Sequence, residues 1–177
     1  MQTDVLEASH ISVYDEGFGL PKILVIGCGG AGNNAVSRLA LSGLSGARTL
    51  AINTDRQQLE AARAEEKILI GRNLTRGMGA GGDPDMGRRA AEQAAPELEG
   101  ILRGADLVFV LAGLGGGTGT GSAPVIARLA RERGAIVVAL VTTPFHLENC
   151  LLYTSDAADD LLCVDLGGRR FNKDKKM

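Results

Sequence analysis

The chain has 177 residues, of which 45% are hydrophobic, 23% charged and 3% aromatic, with a formal net charge of -2. That length suits one domain with a real core, and the balance is that of a soluble globular protein. A net negative charge and so few aromatics argue against a nucleic-acid surface or a base-stacking platform.

Residues 1–20 mix acids, glycine and polar residues without a helical stripe and read as a loosely held extension. No basic segment followed by an apolar stretch opens the chain, and the three cysteines (Cys28, Cys150, Cys163) match no zinc or disulfide spacing. The expected compartment is a reducing cytoplasm. Lys22 to Ile26 is a β-rich apolar run bounded by Pro21 and Gly27, and predicts the first strand. Gly27 to Asn34 follows as a glycine-rich turn, and the amphipathic stretch Asn34 to Leu44 predicts a helix.

Leu50 to Ile52 and Ile68 to Ile70 predict two further strands. Met86 to Leu102, rich in Ala and Glu and preceded by Pro84, predicts a helix with Pro96 as a break point inside it. Leu107 to Leu111 is a fourth strand. Ala123 to Arg133 predicts a helix with Pro124 near its first turn and Gly134 after its end. Ile136 to Val141 is a fifth strand, and none of these apolar runs is long enough to span a bilayer. Strands apolar on both faces belong to parallel sheets covered by helices. The alternation predicts an α/β fold with a doubly wound, mostly parallel sheet.

Three glycine-rich segments lie where ligands bind in such sheets. Gly27, Gly29 and Gly32 satisfy G-x-G-x-x-G between a strand and a helix, and Asp55 stands near the place of a ribose-binding acid. The glycines let backbone approach a ligand, and the helix start offers free N–H groups to an anion. Alone, this segment points to a dinucleotide. The second segment, Gly113 to Ser122, holds five glycines in the seven positions 115–121. Glycine adds no core, so this run is expected to serve a ligand rather than packing, with Thr118 and Thr120 adding hydroxyls to a nest of amides. Two such loops suggest a longer phosphate chain gripped from both sides. The third segment, Gly77 to Pro84, is a turn before a helix where an outermost phosphate could rest. No G-x-x-x-x-G-K-[ST] occurs, which excludes Walker-type binding by a lysine.

Gly115 to Gly121, reading GGGTGTG, matches the signature loop of the tubulin/FtsZ superfamily. Gly27 to Asn34, Asn53-Thr54-Asp55, Gly79 to Pro84, and Thr142 to Phe145 followed by Glu148 fall in the family's order. From Lys22 to Glu148 the chain resembles the GTPase domain of FtsZ-type cell-division proteins, a Rossmann-like fold here truncated. Thr143, where many bacterial members carry Lys, points to an archaeal branch.

The resemblance implies GTP or GDP as ligand, with Mg²⁺. It places Gly29, Gly30, Ala31, Gly32, Asn33 and Asn34 at the nucleotide, and Gly115, Gly116, Gly117, Thr118, Gly119, Thr120 and Gly121 around its phosphates. Ala80, Gly81 and Gly82 would sense the terminal phosphate, Asn53 and Asp55 would line the phosphate and magnesium side, and Glu148 would bind the ribose. It also implies self-association into filaments, cell-division proteins as partners, and a division-site location, with no nucleic acid and no membrane insertion. The family's guanine-contacting residues, central helix, catalytic acidic loop and second domain have no counterpart in this chain, so no catalytic residue is assigned. Residues 150–177 resemble a translated transposon-end sequencing adapter and are expected to be a non-native tail, which leaves 21–149 as a partial GTP-binding domain. Two alternatives stay open: an NAD(P)-dependent oxidoreductase resting on the first loop and Asp55, and a non-catalytic structural member of the superfamily.

Overall fold

A computed structural model describes residues 19–143. Glu148 and the boundary at Cys150 lie outside them. Five strands, β1 (Ile23–Cys28), β2 (Ala47–Asn53), β3 (Glu66–Leu69), β4 (Leu107–Gly113) and β5 (Ile136–Thr142), form one sheet in the order β3-β2-β1-β4-β5. Every neighbouring pair is parallel.

Parallel neighbours need crossovers, and helices supply them. They are α1 (Gly29–Leu41), α2 (Arg56–Ala61), α3 (Arg72–Thr75), α4 (Pro84–Gln93), α5 (Ala95–Leu102) and α6 (Thr118–Glu132). Alternate residues of each strand face opposite sides. Leu24, Ile26, Leu50, Ile52, Val108 and Val110 form one core with Ala90, Leu98, Leu102, Ile126 and Leu129 of α4, α5 and α6. Val25 and Leu111 pack with Val36 of α1 on the other face, and Ala51 packs there with Leu59 of α2. The sheet is doubly wound, as its two-faced apolar strands require.

Several boundaries differ from those expected. Helix α1 starts at Gly29 rather than Asn34, and α6 at Thr118 rather than Ala123. Pro124 therefore lies inside α6, beyond its first turn. Strand β2 runs from Ala47 to Asn53, longer at both ends than Leu50 to Ile52, and Asp55 caps α2. The stretch Met86 to Leu102 divides at Ala94, because Pro96, without an N–H, is tolerated only in the first turn of a new helix. Helix α2, too short to show a period, was not expected, yet it is the crossover that makes β2 and β3 parallel.

Backbone contact between helices corrects the reading of the second glycine run. A Cβ on Gly121 would stand 2.0 Å from the Pro84 carbonyl oxygen, and one on Gly87 would stand 2.4 Å from the Gly117 carbonyl oxygen. Helices α4 and α6 therefore touch backbone to backbone. Part of the glycine run is there for packing, because only glycine permits that approach.

Candidate functional site

Strand order reverses at the β1/β4 boundary: the chain runs outward from β1 through β2 to β3, then returns to β4 on the other side of β1. Ligands in open α/β sheets bind outside the carboxyl ends of the strands at such a point. A cavity of about 550 Å³ lies there, lined by Cys28, Gly30, Ala31, Gly113, Leu114, Gly116, Gly117, Thr118, Gly119, Thr142 and Thr143.

Two helices begin at this cavity. The first turn of α1 contributes Gly30 and Ala31, and that of α6 contributes Thr118 and Gly119. Neither start has a side-chain cap, and neither carries an acid in its first turn. By contrast Asp55 caps α2 through the Gln58 N–H at 3.0 Å, and Asp83 caps α4 through the Asp85 N–H at 2.9 Å. An uncapped start leaves donors without intrahelical partners and the positive end of a dipole exposed. Two such starts meeting at one cavity make a site for an extended anion. Among the described residues no charged side chain lines it, and backbone amides and hydroxyls are the polar equipment they supply.

The starts are held together by close backbone approach. Gly29 takes φ +69°, and a Cβ there would stand 2.7 Å from the Gly119 nitrogen. A Cβ on Gly32 would meet the Leu111 carbonyl oxygen at 2.3 Å. These glycines bring β1, α1, β4 and α6 to one point.

Six of the expected site residues line the cavity: Gly30, Ala31, Gly116, Gly117, Thr118 and Gly119. Glu148 lies outside the described residues, and the other expected residues are not part of the lining. Asn33 is buried; with its amide turned to suit its neighbours, it donates to the carbonyls of Gly27 (2.9 Å) and Ile52 (3.2 Å) and accepts from Asn53 Nδ2 (3.1 Å). Asn53 Oδ1 in turn accepts from the Thr54 and Asp55 N–H groups. This pair of asparagines ties β1 to the end of β2. Asn34 is exposed on α1. Thr120 Oγ1 accepts from the Gly115 N–H at 3.0 Å and holds the second loop closed.

The third loop is sewn to the end of β2. Gly79 N–H donates to the Thr54 carbonyl (3.1 Å), and Arg56 N–H donates to the Gly77 carbonyl (2.9 Å). Ala80 packs on Gly117, where an added Cβ would come within 2.8 Å of the Ala80 methyl, while Gly81 and Gly82 stand open.

Sequence reasoning missed Cys28, Gly113, Leu114, Thr142 and Thr143 as cavity lining. Their common signal is position at or next to the carboxyl ends of β1, β4 and β5. Cys28 is fully buried; desolvation pushes its thiol up to about 12, with a hydrogen bond to Ser122 opposing, which leaves it a neutral wall rather than a nucleophile. Gln58, whose side-chain oxygen would be 2.6 Å from a Cβ on Gly30, was also missed. So was Thr54, which is buried with its hydroxyl 2.6 Å from that of Thr118.

Comparison with known proteins agrees with this geometry. The family model for the Tubulin/FtsZ family, GTPase domain, matches residues 22–161. Cell division protein FtsZ 2 of Methanocaldococcus jannaschii is 58% identical over 155 residues, 86% of this chain and 40% of that protein. Cell division protein FtsZ 2 of Haloferax volcanii is 58% identical over 140 residues, covering 79% and 35%. Among solved structures, an empty FtsZ dimer of M. jannaschii superimposes with TM-score 0.71 at 55% identity, over 72% of this chain and 37% of the other. CetZ2 of H. volcanii, in a GTPgS-bound protofilament, gives TM-score 0.59 at 33% identity, over 69% and 39%. The chain therefore spans 40% or less of the length of these relatives.

Proposed function

This chain belongs to the tubulin/FtsZ family, within its GTPase domain, and on that premise we propose that it holds the phosphates of GTP or GDP between the starts of α1 and α6. The observation that carries the reading is the convergence of two uncapped helix starts on one cavity at the β1/β4 switch point. Gly30, Ala31 and the Gly116–Gly119 segment present backbone there, and Thr118 adds a hydroxyl. An NAD-type fold needs only the first of these starts. The second favours a polyphosphate.

In the longer protein the same site serves an FtsZ-type GTPase of cell division that assembles into filaments in the cytoplasm. The relatives' names and the CetZ2 protofilament support that extension, and no helix among the described residues is long and apolar enough to cross a membrane. The described lining contains no carboxylate, and Asp55 is engaged as the α2 cap. Mg²⁺ fits this donor set as an ion carried by the phosphates, with threonine hydroxyls and water beside it. Its chemistry would be neutralising phosphate charge. The ribose role of Glu148 and the terminal-phosphate role of Ala80, Gly81 and Gly82 belong to the same proposal.

The test is competition against a fluorescent GDP analogue, on a chain extended to the relatives' length. GTP and GDP should displace the probe at least tenfold better than ATP or NAD. Equal displacement by ATP would overturn the guanine assignment, and preference for NAD would restore the oxidoreductase reading.

A further inference from the structure

We propose that Thr54 is a positioning residue that turns the Thr118 hydroxyl into a hydrogen-bond donor facing the cavity, so that the site selects a phosphate oxygen at that point. The inference rests on the phosphate reading above and concerns a residue that does not itself line the cavity.

Thr54 is wholly buried. Among the described residues its hydroxyl has one hydrogen-bond partner, Thr118 Oγ1 at 2.6 Å. A threonine hydroxyl is both donor and acceptor, and its proton rotates to suit the surroundings. A buried hydroxyl proton with no acceptor carries the full cost of desolvation. The arrangement that avoids this cost has Thr54 donating and Thr118 accepting. Thr118 then keeps its own proton, and it lines the cavity while Thr54 does not. Donating onward also strengthens the bond received, since linked hydroxyls polarise one another.

Thr54 is held firmly enough to impose this direction. Its N–H donates to Asn53 Oδ1 at 2.9 Å, and its carbonyl accepts from Gly79 N–H and from Thr75 Oγ1, each at 3.1 Å. Thr118 is fixed on its side as the first residue of α6, its carbonyl accepting from Ser122 Oγ at 2.6 Å. The connection between β2 and α2 and the start of α6 thus meet through one pair of hydroxyls.

The experiment uses the 177-residue chain and inorganic pyrophosphate as probe, with affinity read by ³¹P NMR titration. Amide exchange at Gly79 and Val110 reports the third loop and the sheet centre. Thr54→Val keeps the shape and removes the hydroxyl; Thr54→Ser keeps the hydroxyl. Thr54→Val should weaken pyrophosphate binding about tenfold, the factor that accompanies a lost hydrogen bond of ~1.4 kcal/mol. Thr54→Ser should bind within about twofold of the parent, and both variants should keep Gly79 and Val110 protection. In a Thr118→Val background, Thr54→Val should cost nothing further, because the two act as one unit.

Parent-like affinity in Thr54→Val would overturn the proposal. So would equal loss in Thr54→Ser, additive losses in the double variant, or a loss that appears only with lost amide protection. If the parent chain itself fails to bind pyrophosphate, the phosphate reading falls, and this inference with it. Binding by the parent with no effect of Thr54→Val removes this inference alone.

Discussion

A Cβ on Gly121 would stand 2.0 Å from the Pro84 carbonyl oxygen, whereas one on Gly116 would meet nothing within 4 Å. The two belong to one glycine run and do different work. Gly121 lets α6 lie against α4; Gly116 keeps the cavity wall low enough for a ligand to approach backbone. Gly121→Ala should therefore lower the unfolding free energy by ~1–3 kcal/mol, the usual cost of forcing extra volume into a packed contact. Gly116→Ser should leave stability within about 0.5 kcal/mol of the parent, as surface changes do, and weaken pyrophosphate binding. Urea unfolding and the ³¹P titration separate the two effects. A Gly121→Ala variant as stable as the parent would refute the packing role, and a Gly116→Ser variant with parent affinity would refute the cavity role.

At the scale of elements, the site is two helix starts, and their electrostatics can be tested without touching the core. Ala31 is exposed in the first turn of α1 and lines the cavity. A carboxylate near a helix N-terminus stabilises the helix by roughly 0.3–1 kcal/mol. In this position it would also occupy the place proposed for the anion. Ala31→Asp should hold or raise thermal stability while pyrophosphate binding is lost; a variant that binds as well as the parent would place the anion elsewhere. The same helix starts explain what could be read from the sequence. Strands β1, β4 and β5 were legible because their apolar runs face core on both sides. The bodies of α1 and α6 were legible, α1 as an amphipathic stretch and α6 from Pro124 near its start and Gly134 after its end. Their first turns were not, since Gly29 to Gly32 and Thr118 to Gly121 carry no apolar stripe and look like loop. Six cavity residues came from the glycine runs together with the family resemblance, whereas Cys28, Thr142 and Thr143 became site residues only once strand order set three strand ends side by side.

For the whole molecule, a phosphate cradle and a hydrolytic centre are separable parts. Positioning and charge stabilisation carry phosphoryl transfer, but something must also orient the attacking water. Among the described residues the cavity is offered amides and hydroxyls and no carboxylate, and no cluster of three His, Cys, Asp or Glu that would hold a metal ion occurs. The chain also spans 40% or less of the length of these relatives. Edge strand β5 adds a second consequence. Its outer side pairs with no strand among the described residues, and Ile136 is 69% exposed. An open parallel edge with apolar side chains favours association. The purified chain should therefore grow in apparent size with concentration, yet release no phosphate from GTP above a protein-free control at any concentration. Scattering and a phosphate-release assay on the same dilution series decide the matter. Turnover that rises steeply with concentration would mean that association completes a catalytic site, and that the missing water-orienting groups are supplied within these 177 residues.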